Sequence, residues 1–358
     1  MKTFHCHRCQ KLVFFENVKC ESCGALLGFV PGLRSVCAFE PAFGPAGSGG
    51  WRNLHPDAGG ALYKQCNNYV NENVCNWMLP VDSPGSLCAA CELTHIIPDL
   101  SRPGNRVYWY RFETAKRRLL FALDALGLPV TSRQQDPEGG LAFELLEDSD
   151  AERVMTGHDN GLITMNVAEA DPVHLERTRS EMGEGYRTLL GHFRHEVGHY
   201  YFDRLVAGTV WEAPFRDLFG DERADYGEAL KVHYDNGPPP DWERSFVSSY
   251  ATSHPFEDWA ETWAHYLHMV DTIDTAASCG LELNPEAGNE PTLTDSTPIV
   301  NKSFDNLMKR WYPLTYVLNS LNRSLGLADA YPFALAPRVV DKLRFVHLVI
   351  AAAGRQGA

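Results

Sequence analysis

Residues 191–200 read Gly191-His-Phe-Arg-His-Glu-Val-Gly-His-Tyr200 and contain an H-E-x-x-H pattern. Apolar residues recur at helical spacing from Tyr186 to Val206, which predicts that the pattern lies inside an α-helix. His195 and His199 then lie one turn apart on one face, so both imidazoles can reach one zinc ion. Glu196 lies beside that face, where it can move a proton from a water molecule to a leaving amine. We therefore expect His195 and His199 to bind zinc and Glu196 to act as a general base.

The same pattern also fits two exposed histidines on an amphipathic helix, and an upstream strand weighs against that interpretation. Gly161–Val167 follows the turn His158–Gly161 and has the composition of a β-strand. A strand shortly before the histidine helix is suited to be the edge that accepts the backbone of a peptide substrate. The strand and the helix together favour a peptidase active site over a surface helix with two exposed histidines.

A third zinc ligand must come from another part of the chain, because two histidines on one helix occupy only two corners of a tetrahedron. The predicted helix Pro255–Val270 begins with a proline, as helices often do, and carries Glu257 in its first turn. Glu261 follows one turn later, where it can orient a ligand histidine. Glu257 is therefore the favoured third ligand.

Other carboxylates compete for that role. Asp203 lies on the histidine helix itself, and an acidic cluster follows Gly220 at the start of a predicted helix over Asp221–Tyr234. The cluster also fits a set of charges at a helix N-terminus, or side chains that contact the active histidines. Its members are Asp221, Glu222 and Asp225.

Nine of the ten cysteines lie before residue 92, which separates the chain into a cysteine-rich part and a body. Two C-x-x-C pairs near the N-terminus can place four thiolates around one structural zinc ion, and a segment this short needs metal to fold. A second set combines a wider Cys-x8-Cys with another C-x-x-C. The first set is Cys6, Cys9, Cys20 and Cys23, and the second is Cys66, Cys75, Cys88 and Cys91. The remaining two, Cys37 and Cys279, are expected to be ordinary buried thiols.

Charge and hydropathy limit the partners of this protein. The net charge is −14, of which −1 falls on the first 99 residues and −13 on the rest. Such a surface disfavours binding to nucleic acid and to anionic lipid. A zinc ribbon that binds nucleic acid is nevertheless the third function considered. We see no signal peptide and no run of 18 apolar residues, so we expect a cytoplasmic protein without membrane contact.

The chain resembles the bacterial zinc-binding metallopeptidases that carry an N-terminal zinc ribbon, a gluzincin-like family. The resemblance covers nearly the whole chain. Besides residues 191–200 it includes Phe4-His-Cys-His-Arg-Cys9, Thr156-Gly-His-Asp-Asn-Gly-Leu-Ile-Thr164, Phe219-Gly-Asp-Glu-Arg-Ala-Asp-Tyr226 and Pro255 to His265. The last stretch also resembles the catalytic domain of anthrax lethal factor. There, a glutamate that heads a Glu-x-x-Ala-Glu helix binds zinc, and a tyrosine seven residues earlier assists the transition state. The resemblance implies these roles for Glu257 and Tyr250.

These observations predict an α+β protein with a mostly helical, zincin-like catalytic domain and a small sheet, preceded by zinc-ribbon modules. We expect a zinc ribbon over residues 1–30, a second four-cysteine module with a Gly/Pro-rich linker (Pro41–Gly60) over 31–100, and a metallopeptidase domain over 101–358. The expected cofactors are one catalytic and two structural zinc ions. The expected partners are a peptide or protein substrate and a protein at the ribbon. The alternative is a zinc-stapled interaction module with an inactive peptidase-like domain.

Overall fold

The fold combines two β-sheets, a short hairpin and a helical C-terminal half. The structure is a computed structural model that describes residues 2–42, 49–149, 153–182, 188–295 and 303–354. Within these residues the N-terminal third is built almost entirely from short strands, and all helices longer than four residues follow residue 104.

The N-terminal part consists of a hairpin and a five-stranded antiparallel sheet. The hairpin pairs β1 with β2, and the sheet has the strand order β3-β4-β5-β6-β7. The strands are β1 (Phe4–His5), β2 (Leu12–Val13), β3 (Leu26–Val30), β4 (Ser35–Ala42), β5 (Gly50–Asn53), β6 (Leu62–Gln65) and β7 (Met78–Pro80). Because β3 pairs with β4 across the expected boundary at residue 30, both cysteine sets are attached to one sheet.

The stretch Pro41–Gly60, expected to be a loop or linker, contains parts of two strands among its described residues, and residues 43–48 lie outside them. β4 extends to Ala42, and β5 begins at Gly50 directly opposite it. Pro41 is tolerated in β4 because β3 pairs only as far as Phe39, so the proline has a neighbouring strand on one side alone.

The second sheet lies beside the histidine helix and has four strands in the order β10-β11-β9-β8. They are β8 (Thr94–Ile96), β9 (Ala142–Leu146), β10 (Gly157–Asp159) and β11 (Leu162–Asn166). β11 corresponds to the predicted strand Gly161–Val167, but its expected place at the edge is wrong, because β10 and β9 flank it. The edge next to the histidine helix is β10, which folds back onto β11 through the turn at Asn160 and Gly161.

Ten α-helices lie within the described ranges. They are α1 (Asn67–Val70), α2 (Ala89–Glu92), α3 (Asn105–Ala125), α4 (Pro172–Met182), α5 (Leu189–Leu205), α6 (Glu212–Phe219), α7 (Tyr226–Asn236), α8 (Pro255–Ser278), α9 (Phe304–Ser324) and α10 (Pro337–Gly354). Helix α5 packs against α3 and α8, and α10 covers the other side of α8. The site described below lies between α5 and α8.

A glycine allows α5 and α8 to approach each other closely. A Cβ atom on Gly198 would lie 3.0 Å from Ala260 Cα, which is closer than almost all real contacts of this kind. The indole Nε1 of Trp259 donates a 2.8 Å hydrogen bond to the Gly198 carbonyl, and the ring of Trp263 stacks on that of Tyr201. These contacts bring the N-terminal part of α8, just after its first turn, against the middle of α5.

The α+β prediction is confirmed, with a helical C-terminal domain, small sheets and a cysteine-bearing N-terminal region. In the part of the chain that the structure describes, no helix combines the length and the apolar character needed to cross a bilayer.

Candidate metal centres

Two of the three histidines of α5, His195 and His199, face a common point. Thr188 caps the helix by accepting a hydrogen bond from the Gly191 amide, and the apolar side chains of the helix are buried, which fixes its rotation. His195 and His199 are both buried, with their Nε2 atoms 3.2 Å apart. The ring of Phe256 packs on the His199 ring at 4.1 Å between centroids. Both imidazoles therefore direct the same nitrogen into one dry space.

Glu257 brings a carboxylate into that space from α8. Pro255 opens the helix, and the His254 side chain caps it by accepting from the Phe256 amide. Glu257 Oε2 lies 2.9 Å from His195 Nε2, and Oε1 lies 3.5 Å from His199 Nε2. The three ligand atoms lie within 4.8 Å of one another, so these residues could hold one metal ion.

Hydrogen bonds around His195 orient its ring for a metal. Its Nδ1 lies 2.7 Å from Glu261 Oε1, so we assign the proton to Nδ1, which leaves the Nε2 lone pair toward Glu257. Glu261 Oε2 in turn accepts from Ser248 Oγ at 2.6 Å. Burial opposes ionisation of Glu261, but the hydrogen bonds from His195 and Ser248 outweigh it and hold the pKa at about 2. A permanently charged acceptor thus fixes the tautomer of His195.

The chemistry of these donors fits a cation. Glu257 Oε2 and His199 Nδ1 are buried without a hydrogen-bond partner, an arrangement that costs free energy unless another group satisfies it. Two imidazole nitrogens and a carboxylate oxygen are the donor set that zinc takes in catalytic sites with one open position. Burial opposes the charge of Glu257, yet the neighbouring histidines hold its pKa well below the usual value.

Glu196 and Tyr250 flank the three donors. Burial raises the pKa of Glu196 above its usual value, because the side chain is removed from solvent. A carboxylate with a raised pKa is suited to accept and return a proton. Tyr250 lies on the 3₁₀ turn Tyr250–Thr252, and its ring centroid is 6.0 Å from that of His195. Burial, reinforced by Glu257, raises the pKa of Tyr250, so its hydroxyl remains a donor.

The competing carboxylates have other partners. Asp221 pairs with Arg223, and its oxygens lie 2.8 and 2.7 Å from the guanidinium. Glu222 pairs with Arg216, while Asp225 caps α7 by accepting from the Glu228 amide at 2.9 Å. Asp203 is exposed on α5. Among the described residues, none of these carboxylates belongs to the histidine cluster.

Two residues that sequence reasoning did not single out contact the cluster. The Tyr226 hydroxyl, at the start of α7, donates to Glu257 Oε1 at 2.7 Å. The His158 ring on the edge strand β10 lies parallel to that of His199, with centroids 6.1 Å apart, and burial lowers its pKa to about 4. Both lie in stretches that carry the family resemblance, but no spacing rule connects them to the histidines.

The two cysteine sets come together as expected from their spacing. In the first, Cys6 and Cys23 have Sγ atoms 3.6 Å apart, as do Cys9 and Cys20. These separations are too long for disulfides and close to the ~3.8 Å edge of a tetrahedron with zinc–sulfur bonds of ~2.3 Å. All four thiols could share one metal ion.

All four cysteines of the second set are buried, and two of them belong to the start of α2. The Cys75 and Cys88 Sγ atoms are 3.7 Å apart. The Cys88 amide donates to Cys66 Sγ at 3.4 Å, and the Trp77 amide donates to Cys75 Sγ at 3.3 Å, as amides do toward metal-bound thiolates. Cys37 is buried as predicted, but the same prediction is wrong for Cys279, which is exposed because it follows the last turn of α8.

Two family models match the chain. One, described as "Putative zinc-binding metallo-peptidase", matches residues 105–349, and one described as "zinc-ribbon domain" matches residues 3–102. Uncharacterized proteins of Mycobacterium bovis and Mycobacterium tuberculosis are each 45% identical over 351 residues, which is 98% of this chain and 95% of the relative. No solved structure matches the chain significantly.

Proposed function

The chain belongs to the family described as putative zinc-binding metallo-peptidases, and from that premise we propose that it is a hydrolase that cleaves peptide bonds through a zinc-activated water molecule. His195, His199 and Glu257 hold the catalytic zinc ion. The observation that supports this most directly is the convergence of three buried donor atoms within 4.8 Å, with the unsatisfied Glu257 Oε2 among them. Burial of such a set without a cation is unfavourable.

Each remaining residue has a separate task. A zinc ion held by these three residues would lower the pKa of a bound water molecule and would polarise the scissile carbonyl. Glu196 takes the proton from the attacking water and passes it to the leaving nitrogen. Tyr250 donates a hydrogen bond to the oxyanion of the tetrahedral intermediate. Glu261 keeps His195 in the required tautomer through the 2.7 Å contact. The edge strand β10 is the element placed to pair with the peptide backbone.

A substitution that preserves the size of the side chain tests this proposal. Glu196→Gln keeps the size of the side chain but cannot accept a proton, so we expect hydrolysis of a random peptide library to fall by roughly 10²–10⁴-fold with zinc content unchanged. Mass spectrometry of the library and metal analysis of the same sample give both quantities. A Glu196→Gln protein that cleaves as fast as the parent would remove the general base from the proposal.

The two cysteine sets hold structural zinc ions, and the absence of disulfides among the described cysteines fits a reducing compartment such as the cytoplasm. One observation favours a second function, a protein-docking module. Leu12 and Phe14 of the ribbon are 53% and 66% exposed, an unusual amount for apolar side chains close together in sequence. If the parent protein binds zinc but cleaves no peptide in the library, the docking function with an inactive peptidase-like domain becomes the better account.

A further inference from the structure

Tyr226 contacts the proposed third zinc ligand from a helix that is otherwise peripheral. Its hydroxyl donates to Glu257 Oε1 at 2.7 Å, whereas Glu257 Oε2, the oxygen nearer to His195, has no hydrogen-bond partner. None of the residues of α7 is buried. The contact is therefore not a by-product of a packed interface between helices.

Two features hold the Tyr226 side chain in this position. Asp225 caps α7 directly before it, which fixes where the helix begins. His254, the residue that caps α8, donates from Nε2 to the Ala224 carbonyl at 3.1 Å, and its ring lies against the Tyr226 ring at 5.2 Å. The start of α7 is thus tied to the start of α8, where Glu257 lies.

The hydrogen bond makes the two oxygens of the Glu257 carboxylate unequal, because only Oε1 has a hydrogen-bond donor. A carboxylate beside a metal ion can bind through one oxygen or through both. The phenol occupies one lone pair of Oε1, whereas Oε2 has no hydrogen-bond partner and is the freer oxygen for a metal. Rotation of the carboxylate plane would break the hydrogen bond to Oε1. Partners of this kind orient metal ligands and change metal affinity by about 10–100-fold.

We infer that Tyr226 is a positioning residue that restricts Glu257 to one zinc-binding oxygen. This inference rests on the proposed zinc centre of His195, His199 and Glu257. It assigns no contact between Tyr226 and the reacting atoms. A packing role does not account for the residue, because the Tyr226 side chain is 43% exposed and its ring meets only the neighbouring His254 among the ring pairs of the described residues.

The test compares Tyr226→Phe with Tyr312→Phe in the full chain. Both changes remove one hydroxyl from a half-exposed tyrosine, and Tyr312 lies on α9, 50% exposed. Zinc affinity is measured by competition with a chromogenic chelator, after the most weakly held ion has been removed. We expect Tyr226→Phe to bind zinc about tenfold more weakly than the parent and Tyr312→Phe to bind it equally well.

A spectroscopic readout separates positioning from stability. Cobalt is loaded into the emptied site while the cysteine sites retain zinc, and the visible absorption is recorded. We expect weaker absorption in Tyr226→Phe, because a second carboxylate oxygen raises the coordination number, with no change in thermal unfolding of the metal-depleted protein. Equal affinity and equal spectra would overturn the inference, as would an affinity loss matched by a fall in unfolding temperature without metal. A parent protein that binds no zinc at this site would instead overturn the proposed function.

Discussion

At the scale of single residues, the role of a polar side chain depends on the groups that surround it in the folded protein. Glu257 and Asp225 are both acidic residues near a helix start, and their sequence contexts look alike. In the structure one faces two imidazoles and the other caps a backbone. The distinction follows from tertiary contacts, because a carboxylate binds whichever donors surround it.

The third ligand can be tested directly. Glu257→Gln removes the only charge among the three donors and should weaken zinc binding by roughly two orders of magnitude, because breaking a buried charge pair costs about 3 kcal/mol. Asp221→Asn and Asp225→Asn should keep zinc affinity within about threefold of that of the parent protein and should lower only the unfolding temperature. Chelator competition on all three proteins decides between them. Normal affinity in Glu257→Gln together with its loss in either aspartate variant would make the acidic cluster the ligand.

A buried histidine that is not among the three proposed zinc donors should make folding sensitive to acid. Burial lowers the pKa of His265 to about 4, while Nδ1 stays in a 2.9 Å contact with the Tyr331 hydroxyl. The unfolded chain takes up this proton near pH 6.5, before the folded protein does. Stability therefore falls as the pH drops from about 6.5 to 4, by up to about 3 kcal/mol from this residue.

His265→Asn isolates this contribution, because it keeps a polar atom near the position of Nδ1 but does not titrate. Urea unfolding of both proteins between pH 4.5 and 7.5 gives, for each protein, the slope of the free energy of unfolding against pH. Since acid also displaces zinc from both proteins alike, the difference between the slopes is the relevant quantity. Parallel slopes would show that His265 does not contribute.

At the scale of elements, the structure has helices where apolar periodicity predicted them, but their first and last residues differ from the predicted ones. Helix α5 runs over Leu189–Leu205, within the predicted Tyr186–Val206, and α8 extends eight residues beyond the predicted end at Val270. Helix α7 starts only at Tyr226, because the acidic residues predicted as its first turn form the preceding turn and the cap. Acidic residues are common both as helix caps and within the first helical turn, so the sequence does not distinguish the two positions. Only the path of the backbone shows which position each residue occupies.

The contact between α5 and α8 depends on Gly198. Gly198→Ala places a methyl group against the backbone of α8, which should cost about 1–3 kcal/mol and move Glu257 away from the histidines. We expect a lower unfolding temperature and weaker zinc binding. Gly227→Ala on α7 is the matched control, since its Cβ meets no atom closer than 3.6 Å and alanine favours a helix. Parent-like stability and affinity in Gly198→Ala would mean that the helices do not need this approach.

At the scale of the whole molecule, the cysteine sets and the metal helix belong to parts of the chain that contact each other. The Phe15 ring of the hairpin region packs edge-on against Phe121 of α3 at 5.4 Å between centroids, and Thr3 bonds to Ser278 at the end of α8. Arg117 of α3 donates to the Val74 carbonyl, next to Cys75. These contacts link both cysteine sites to the helical half, which makes independent unfolding of the N-terminal part less favourable.

The intact chain should contain three zinc ions. Two four-cysteine sets and one set of two histidines and a glutamate provide three donor groups among the described residues. Metal analysis after purification without chelator should give a ratio near three, and His199→Ala should lower it to two. The ion lost first to a mild chelator should be the catalytic one, because four thiolates hold zinc more tightly. A ratio of one or zero in the parent would contradict the assignment.

The sequence by itself determined the family, the α+β class, the helices with strong apolar periodicity, and the histidines and cysteines of the three possible metal clusters. It could do so because ligand spacing within one helix or one knuckle is a local property. Only the tertiary structure decided that β10 is the edge strand, that β4 and β5 extend into the described parts of the Gly/Pro-rich stretch, and that Tyr226 reaches Glu257. Strand order and contacts between distant segments depend on how whole elements pack, and no local pattern records that packing.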